Sequence, residues 1–159
     1  MTQPTDKTNA IRLLEAEGAQ FEILRYDVDE DLSAGHAAAK LGLDADQVFK
    51  TIVLSGERVG YFVCVIPGSC EIDLKKAAKA SGDKACALLP LKELEPLTGY
   101  VRGGCSPIGM KRKLPTFVDE TALLFDRISV SAGRRGLQVF LEPKTLIDMV
   151  GAGVVDLLA

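Results

Sequence analysis

Lys50 is the residue whose setting most invites chemistry. It falls within residues 48–54, a run of aliphatic and β-branched side chains. Strand side chains alternate between faces, so Val48, Lys50, Ile52 and Leu54 share one face and Phe49, Thr51 and Val53 the other. An ammonium in line with three aliphatic side chains is costly to bury without a partner. It either snorkels past a sheet edge into water or is held in a partly enclosed site for an anionic group, such as a phosphate or a polarised carbonyl oxygen.

Two glycine-rich segments are candidates to complete such a site. Residues 98–109 hold four glycines in a dozen positions, Gly99, Gly103, Gly104 and Gly109. Glycines permit positive φ and close backbone approach, and consecutive N–H groups in such a loop can cradle an oxyanion. Lys111, Arg112 and Lys113 follow at once. The phosphate-loop pattern G-x-x-x-x-G-K-[ST] is absent, and Ser106 lacks the G-x-S-x-G frame of a nucleophile elbow. The segment is therefore either a structural loop with a solvated basic tail or an oxyanion cradle. The second segment, residues 130–137, brackets Arg134 and Arg135 between glycines. It reads as a tight hairpin turn or as a pair of guanidinium forks offered to phosphate.

The remaining candidates for chemistry are weaker. His36 is the one histidine and has no serine or cysteine partner in sequence, so a surface position is expected rather than a catalytic base. The acidic run at residues 27–31 lacks the spacing and closing Glu of a calcium loop and reads as solvated. Cysteines stand at 64, 70, 86 and 105 without a C-x-x-C pair, so no zinc site, and no other metal or cofactor, is expected. Cys64 sits in an apolar run as a small buried hydrophobe, and disulfides are not expected in a reducing compartment.

Bulk properties narrow the class. The 159 residues suit one domain covering residues 1–159 with a core of its own. Charged residues make up 26% and the hydrophobic set 47%, which is globular rather than disordered composition. Six per cent aromatic and no Trp argue against a many-ringed stacking platform for single strands. No apolar run reaches the ~18 residues of a membrane span. The first nine residues are polar and lack a signal-peptide stretch, so no membrane partner and a cytoplasmic location are expected. The net charge of −3 excludes a generally basic DNA binder. Residues 99–136 nonetheless carry seven Lys/Arg against three Asp/Glu, a local positive segment where an anionic partner could dock.

Positioning these residues requires a mixture of strands and helices. Residues 5–17 read as a helix with Thr5 as N-cap, Ala10, Leu13 and Leu14 on one face, and Gly18 at its end. Residues 21–26 read as a strand, and Ser33 caps a short helix with Ala34, Ala38 and Leu41 on one side and Gly42 closing it. Residues 48–54 and 59–66 form a hairpin about a turn at 55–58. Helices follow at 73–81, with an Asp cap and Leu74, Ala77 and Ala78 inward, and at 90–97. Residues 99–116 are loop. Short strands are expected at 116–118, 127–130 and 137–141, and a last helix at 143–150 with Pro143 in its first turn. There is no repeat, low-complexity tract or linker. The order implies an α+β or mixed α/β fold, a curved sheet with helices outside.

Taken together, several motifs carry a resemblance. Phe49-Lys50-Thr51 opens an apolar strand and Asp73-Leu74-Lys75-Lys76 opens a helix. The loop from Gly103 to Gly109, the segment from Lys111 to Thr116 and the turn from Ser131 to Leu137 follow. In this order and spacing they resemble the YbaK/EbsC family, from about residue 8 to the last helix. The Gly-Gly-x-Ser-Pro-x-Gly and Ser-x-Gly-x-Arg-Gly-Leu forms are more similar to the Cys-tRNA(Pro) deacylase branch than to its alanine-specific relatives. The resemblance implies a barrel-like mixed sheet surrounded by helices. It implies an enzyme that cleaves cysteine from mischarged tRNA(Pro), with tRNA(Cys) as a further carrier, in trans, with prolyl-tRNA synthetase as a second partner. It implies that no protein nucleophile is used: the thiol of the bound cysteine attacks its own ester and leaves as a thiolactone. Lys50 matches the essential lysine, Thr51 its neighbour, Gly103 and Gly104 the loop that positions the ester, Ser131 a pocket hydroxyl and Tyr26 a pocket tyrosine. Lys111, Arg112, Lys113, Arg134 and Arg135 are the implied tRNA contacts. Two pocket positions depart from the pattern. Ser33 stands where an aromatic residue is usual, and Gln138 where an acidic one is common. A deacylase for alanine or serine that uses water, and a non-catalytic module that docks tRNA or a synthetase, are the alternatives.

Overall fold

The structure, a computed structural model, describes residues 7–159. Helix α1 (Asn9–Ala16) is capped by Thr8, whose hydroxyl accepts from the Ile11 N–H; the expected cap at Thr5 lies outside the described residues. The same hydroxyl donates to the Ala132 carbonyl at 2.6 Å, which ties the helix start to the sheet. Ala10, Ile11 and Leu14 are the buried face, while Leu13, expected inward, is 42% exposed. Ala10 and Leu14 are buried as expected, and Ile11 takes the place expected for Leu13.

Strands β1 (Glu22–Arg25), β6 (Ile128–Arg134) and β7 (Leu137–Leu141) make a three-stranded antiparallel sheet in the order β1-β7-β6. Strands β2 (Phe49–Gly56), β3 (Tyr61–Pro67), β4 (Cys86–Leu88), β5 (Thr116–Asp119) and β8 (Gly153–Val155) make a five-stranded mixed sheet in the order β4-β2-β3-β5-β8. The expected β2–β3 hairpin is present, with Phe49 opposite Pro67 and Ser55 opposite Tyr61. The two sheets meet at a single parallel bridge, Val48 to Ser129, rather than closing into a ring. The fold is therefore mixed α/β with a strongly bent sheet system, as expected from the element order.

Alternation divides the core in two. Phe49 and Val53 of β2, Val63 and Val65 of β3, and Ile128, Val130, Leu137 and Val139 of the small sheet pack in one cluster with α1. Leu54, Phe62, Cys64 and Ile66, on the other face of the β2–β3 hairpin, pack with Ala77 and Leu157. Ala77 belongs to helix α3 (Leu74–Ser81), whose Asp73 cap accepts from Lys75 and Lys76 N–H groups. Leu74, expected inward on that helix, is 41% exposed. Helix α2 (Ala34–Leu41) starts at the Ser33 cap and stops at Gly42, both as expected. Helix α4 (Leu94–Thr98) follows a 3-10 turn at Leu91–Glu93. Helix α5 (Pro143–Val150) begins on Pro143 and ends at Gly151.

Asp83 locks the far end of the hairpin. One carboxylate oxygen accepts from the Arg58 N–H at 2.7 Å and the Val59 N–H at 3.0 Å, and the other from the Lys84 N–H at 2.7 Å. These donors favour the charged form and pull the carboxyl pKa down to about 2, the Val59 and Arg58 amides contributing most. A carboxyl depressed in the folded state adds stability above its unfolded pKa and loses it as pH falls through the folded value. The melting temperature should therefore fall from near pH 4 toward pH 2, and Asp83→Asn should remove part of that slope. An unchanged acid limb in this variant would refute the role given to Asp83.

Candidate active site

The small sheet turns Ile128, Val130, Leu137 and Val139 into the core, so the intervening positions face the other way. Register sets Ser131 opposite Gln138, and Gln138 opposite Leu24. Directly opposed residues project on the same side, which puts Ser131 and Gln138 next to each other, with Tyr26 just beyond the end of β1. The buried Ser129 hydroxyl donates to Gln138 Oε1 at 2.8 Å, which leaves the Gln138 amide N–H groups as donors for the space in front.

Lys50 reaches the same space from the start of β2. In register it shares the apolar face with Ile52 and Leu54, opposite Ile66, Cys64 and Phe62. It stands where that face ends, half-buried, and its Nζ donates to the Gly68 carbonyl at 3.4 Å. That is a long contact, and Lys50 forms no ion pair among the described residues. Gly68 is a fixed point here. A Cβ on it would run into Ala34 of α2 and lie 2.9 Å from the Val48 carbonyl. Only glycine lets the helix, the strand start and the Lys50 acceptor come so close.

Between these elements lies a cleft of about 400 Å³. It is lined by Lys50, Tyr26, Ser33, Thr51, Gly103, Ser131 and Gln138. All the residues singled out from sequence for the reacting end of a substrate are thus brought together, with one exception. Gly104 does not line the cleft. A Cβ there would lie 3.0 Å from the Arg135 nitrogen and 3.1 Å from the Arg134 carbonyl carbon, so Gly104 lets the arginine turn pack on the loop. Gly103 does line it, at φ +83°. Arg102, Cys105, Glu30, Asp31 and Leu32 also line it and were not anticipated. Arg102 and Cys105 flank the glycine pair in sequence, but nothing in their pattern says which way they point.

The electrostatics are bipolar. Lys50 and Arg102 supply positive charge, and Glu30 and Asp31 supply negative charge from the loop after β1. That loop is pinned to α2: His36 Nε2 contacts Asp29 Oδ2 at 2.7 Å, and Lys40 Nζ lies 2.9 Å from the same oxygen. The His36 bond, and then that from Lys40, hold the Asp29 carboxyl far below the usual carboxylate range. His36 is thus a clamp on the loop and not a wall residue of the cleft.

The Asp31 carboxylate accepts from the Ser33 N–H and from its hydroxyl, which hold it below the usual carboxylate range and make it a weak base. Ser33 Oγ accepts from the His36 N–H as the helix cap, and Ser131 Oγ accepts from the Gly133 N–H at 3.1 Å. Burial pushes the Cys105 thiol up to about 12, so it is a neutral thiol near pH 7 and a poor nucleophile. Thr51 Oγ1 is a buried oxygen without a hydrogen-bond partner. A buried hydroxyl left unsatisfied is costly, and this one stands in the cleft wall. Among the described residues no cluster of His, Cys, Asp and Glu is placed to hold a metal ion.

The predicted basic residues separate. Arg134 and Arg135 line a second groove that shares Tyr26 with the cleft. Lys113 lines a different cleft of about 620 Å³ between α1, the loop before β5 and α5. Arg112 lies over the Tyr61 ring at 5.7 Å. Neither it nor Lys111 or Lys113 borders the Lys50 cleft.

Comparison with known proteins places this geometry. Residues 32–149 match the model of the aminoacyl-tRNA editing domain. The chain is 47% identical to the Enterococcus faecalis protein EbsC, whose name proposes Cys-tRNA(Pro)/Cys-tRNA(Cys) deacylation, over 90% of this chain and 88% of that one. It is 28% identical to a proline–tRNA ligase of Shouchella clausii over 67% of this chain and 19% of the ligase. A solved protein described as a proposed trans-editing enzyme for prolyl tRNA synthetase superposes with a TM-score of 0.87 at 26% identity, covering 100% of this chain and 99% of that one.

The arginine turn yields a test of how the cleft is held. Gly136 has φ +82°, and a Cβ there would lie 2.8 Å from the Tyr26 carbonyl. Gly136→Ala should therefore cost about 1–3 kcal/mol in urea unfolding and displace Tyr26 at the cleft edge. Wild-type stability in this variant would show that the turn tolerates a side chain.

Proposed function

The chain belongs to the aminoacyl-tRNA editing domain family, and from that premise we propose that it is a trans-acting deacylase, in the cytoplasm, that clears cysteine mischarged onto tRNA(Pro). The observation that carries the reading is the cleft itself. It gathers a half-buried lysine that forms no ion pair among the described residues, a positive-φ glycine loop and a set of polar groups, and its Cys105 thiol is held neutral by burial. Ester cleavage at such a site needs an attacker that arrives with the substrate or from water. Likeness to EbsC favours cysteine as the residue removed and tRNA(Pro) or tRNA(Cys) as the carrier. The match inside a proline–tRNA ligase favours action beside prolyl-tRNA synthetase.

In this mechanism Lys50 and the Gly103 loop act on the ester and the terminal nucleotide. The Lys50 ammonium meets the 3′-terminal phosphate or polarises the ester carbonyl. Backbone N–H groups of the loop face the oxygen that gains charge in the tetrahedral intermediate. The substrate thiol forms a bond to its own carbonyl carbon, the ribose oxygen leaves and takes up a proton, and the amino acid departs as the thiolactone. Fixing both ends of this step makes the attack intramolecular, where effective molarity can lower the barrier by ~7–11 kcal/mol. Thr51, Ser131, Gln138, Ser33 and Tyr26 shape the amino-acid end. Arg134 and Arg135, with Lys111, Arg112 and Lys113, contact the tRNA.

A second reading rests on the same wall. Ser33 is a small hydroxyl and Gln138 a neutral amide, so a pocket for alanine or serine with water as the attacker is the alternative within this chemistry.

Lys50→Ala should lower kcat/KM for Cys-tRNA(Pro) by about 100–1000-fold, the effect of losing one donor to a developing oxyanion, with little change in melting temperature. Full activity in a folded Lys50→Ala protein would overturn the role of Lys50.

A further inference from the structure

We propose that the groove formed by Arg25, Lys40, Arg134 and Arg135 is the track along which the acceptor strand of tRNA leaves the cleft, its cations meeting consecutive backbone phosphates. The proposal rests on the deacylase reading and adds to it the path of the polynucleotide and two contacts, Arg25 and Lys40, that no motif suggested. The groove has a volume of about 660 Å³ and is lined, among the described residues, by four cations and the Asp27 carboxylate, with Asp29 beside it paired to Lys40. This excess stands out in a chain whose net charge is −3. Arg25, Lys40, Arg134 and Arg135 are exposed, which suits contacts that are made when a long anion arrives.

Three features favour a nucleic-acid backbone over an isolated anion or an acidic protein. First, the groove and the Lys50 cleft share Tyr26 as a lining residue, so a strand whose end enters the cleft passes at that residue into the basic channel. Second, three of the four cations are guanidinium forks, the shape that grips phosphate oxygens in pairs. Third, the groove is mechanically joined to the reacting end. Arg135 Nε donates to the Arg102 carbonyl at 2.8 Å, beside Gly103. Lys40 Nζ binds Asp29 at 2.9 Å and also donates to the Asp27 carbonyl, so it braces the loop that carries Glu30 and Asp31 into the cleft. Occupation of the groove by phosphates therefore acts on both walls of the site.

The test is direct binding of uncharged tRNA, measured by fluorescence polarisation across 50–200 mM KCl, for the full-length protein and for Arg25→Gln/Lys40→Gln. Each phosphate contact contributes about 0.7–0.9 to the slope of log Kd against log salt, so the double variant should flatten the slope by about 1.4–1.8 and weaken binding about tenfold or more at the lowest salt. Arg25→Gln alone should flatten it by about half as much, which keeps the test valid if the double variant melts early. The charge-keeping Arg25→Lys/Lys40→Arg should retain the parental slope. A parental slope in the Gln variants, a weaker Kd with an unaltered slope, or an equal loss in the charge-keeping variant would each overturn the proposal. The underlying reading fails separately: a parent that binds tRNA with a steep slope yet cleaves no charged tRNA would end the deacylase reading and leave the groove standing.

Discussion

One placement governs the molecule: an ammonium set at the point where an apolar sheet face runs out. Ile52 and Leu54 continue the Lys50 row into the second core cluster. One strand pair further in, the charge would be buried among aliphatic side chains at a prohibitive cost. Held at the strand start, it keeps a single long contact to the Gly68 carbonyl and faces a cleft. The surrounding architecture serves that placement. Gly68 allows α2 to close over the strand start, the bridge from Val48 to Ser129 brings the small sheet alongside, and the polar row Ser131–Gln138 becomes the opposite wall.

In the proposed mechanism the rest of the cleft holds a substrate and does not attack it. The serine hydroxyls are engaged in capping and turn contacts, the Cys105 thiol is kept protonated by burial, and His36 is spent on clamping the acidic loop. The Thr51 hydroxyl is the exception, a buried oxygen without a partner at the wall. A site of this kind accelerates a reaction by position and field, which fits chemistry in which the attacker is carried by the substrate.

Much of this could be read from the residues alone. The β2–β3 hairpin, the Ser33 and Asp73 caps, the Gly42 stop and Pro143 at the last helix start are local signals with local causes. Lys50 was visible because a cation breaks an apolar alternation. The strands β4 and β8 were not, since each is a three-residue edge strand whose pairing is decided by distant partners. The exposed Leu13 and Leu74 show the same limit, because which side of a short helix is buried depends on what lies opposite. Arg25 and Lys40 carry no motif, and only the fold sets them beside Arg134 and Arg135 along one groove. Lys111 to Lys113 looked like part of the same basic surface, yet the chain turns them away from the cleft.

The central claim is that the protein positions the ester and leaves the attack to the substrate. It is tested most directly by single-turnover cleavage of tRNA(Pro) charged with cysteine and with serine, which differ by one atom in the group that would attack. The account predicts that the serine ester is cleaved at least about 100-fold more slowly, because the intramolecular thiol that supplies the effective molarity is gone. Equal rates for the two esters would contradict it and would assign the attack to water.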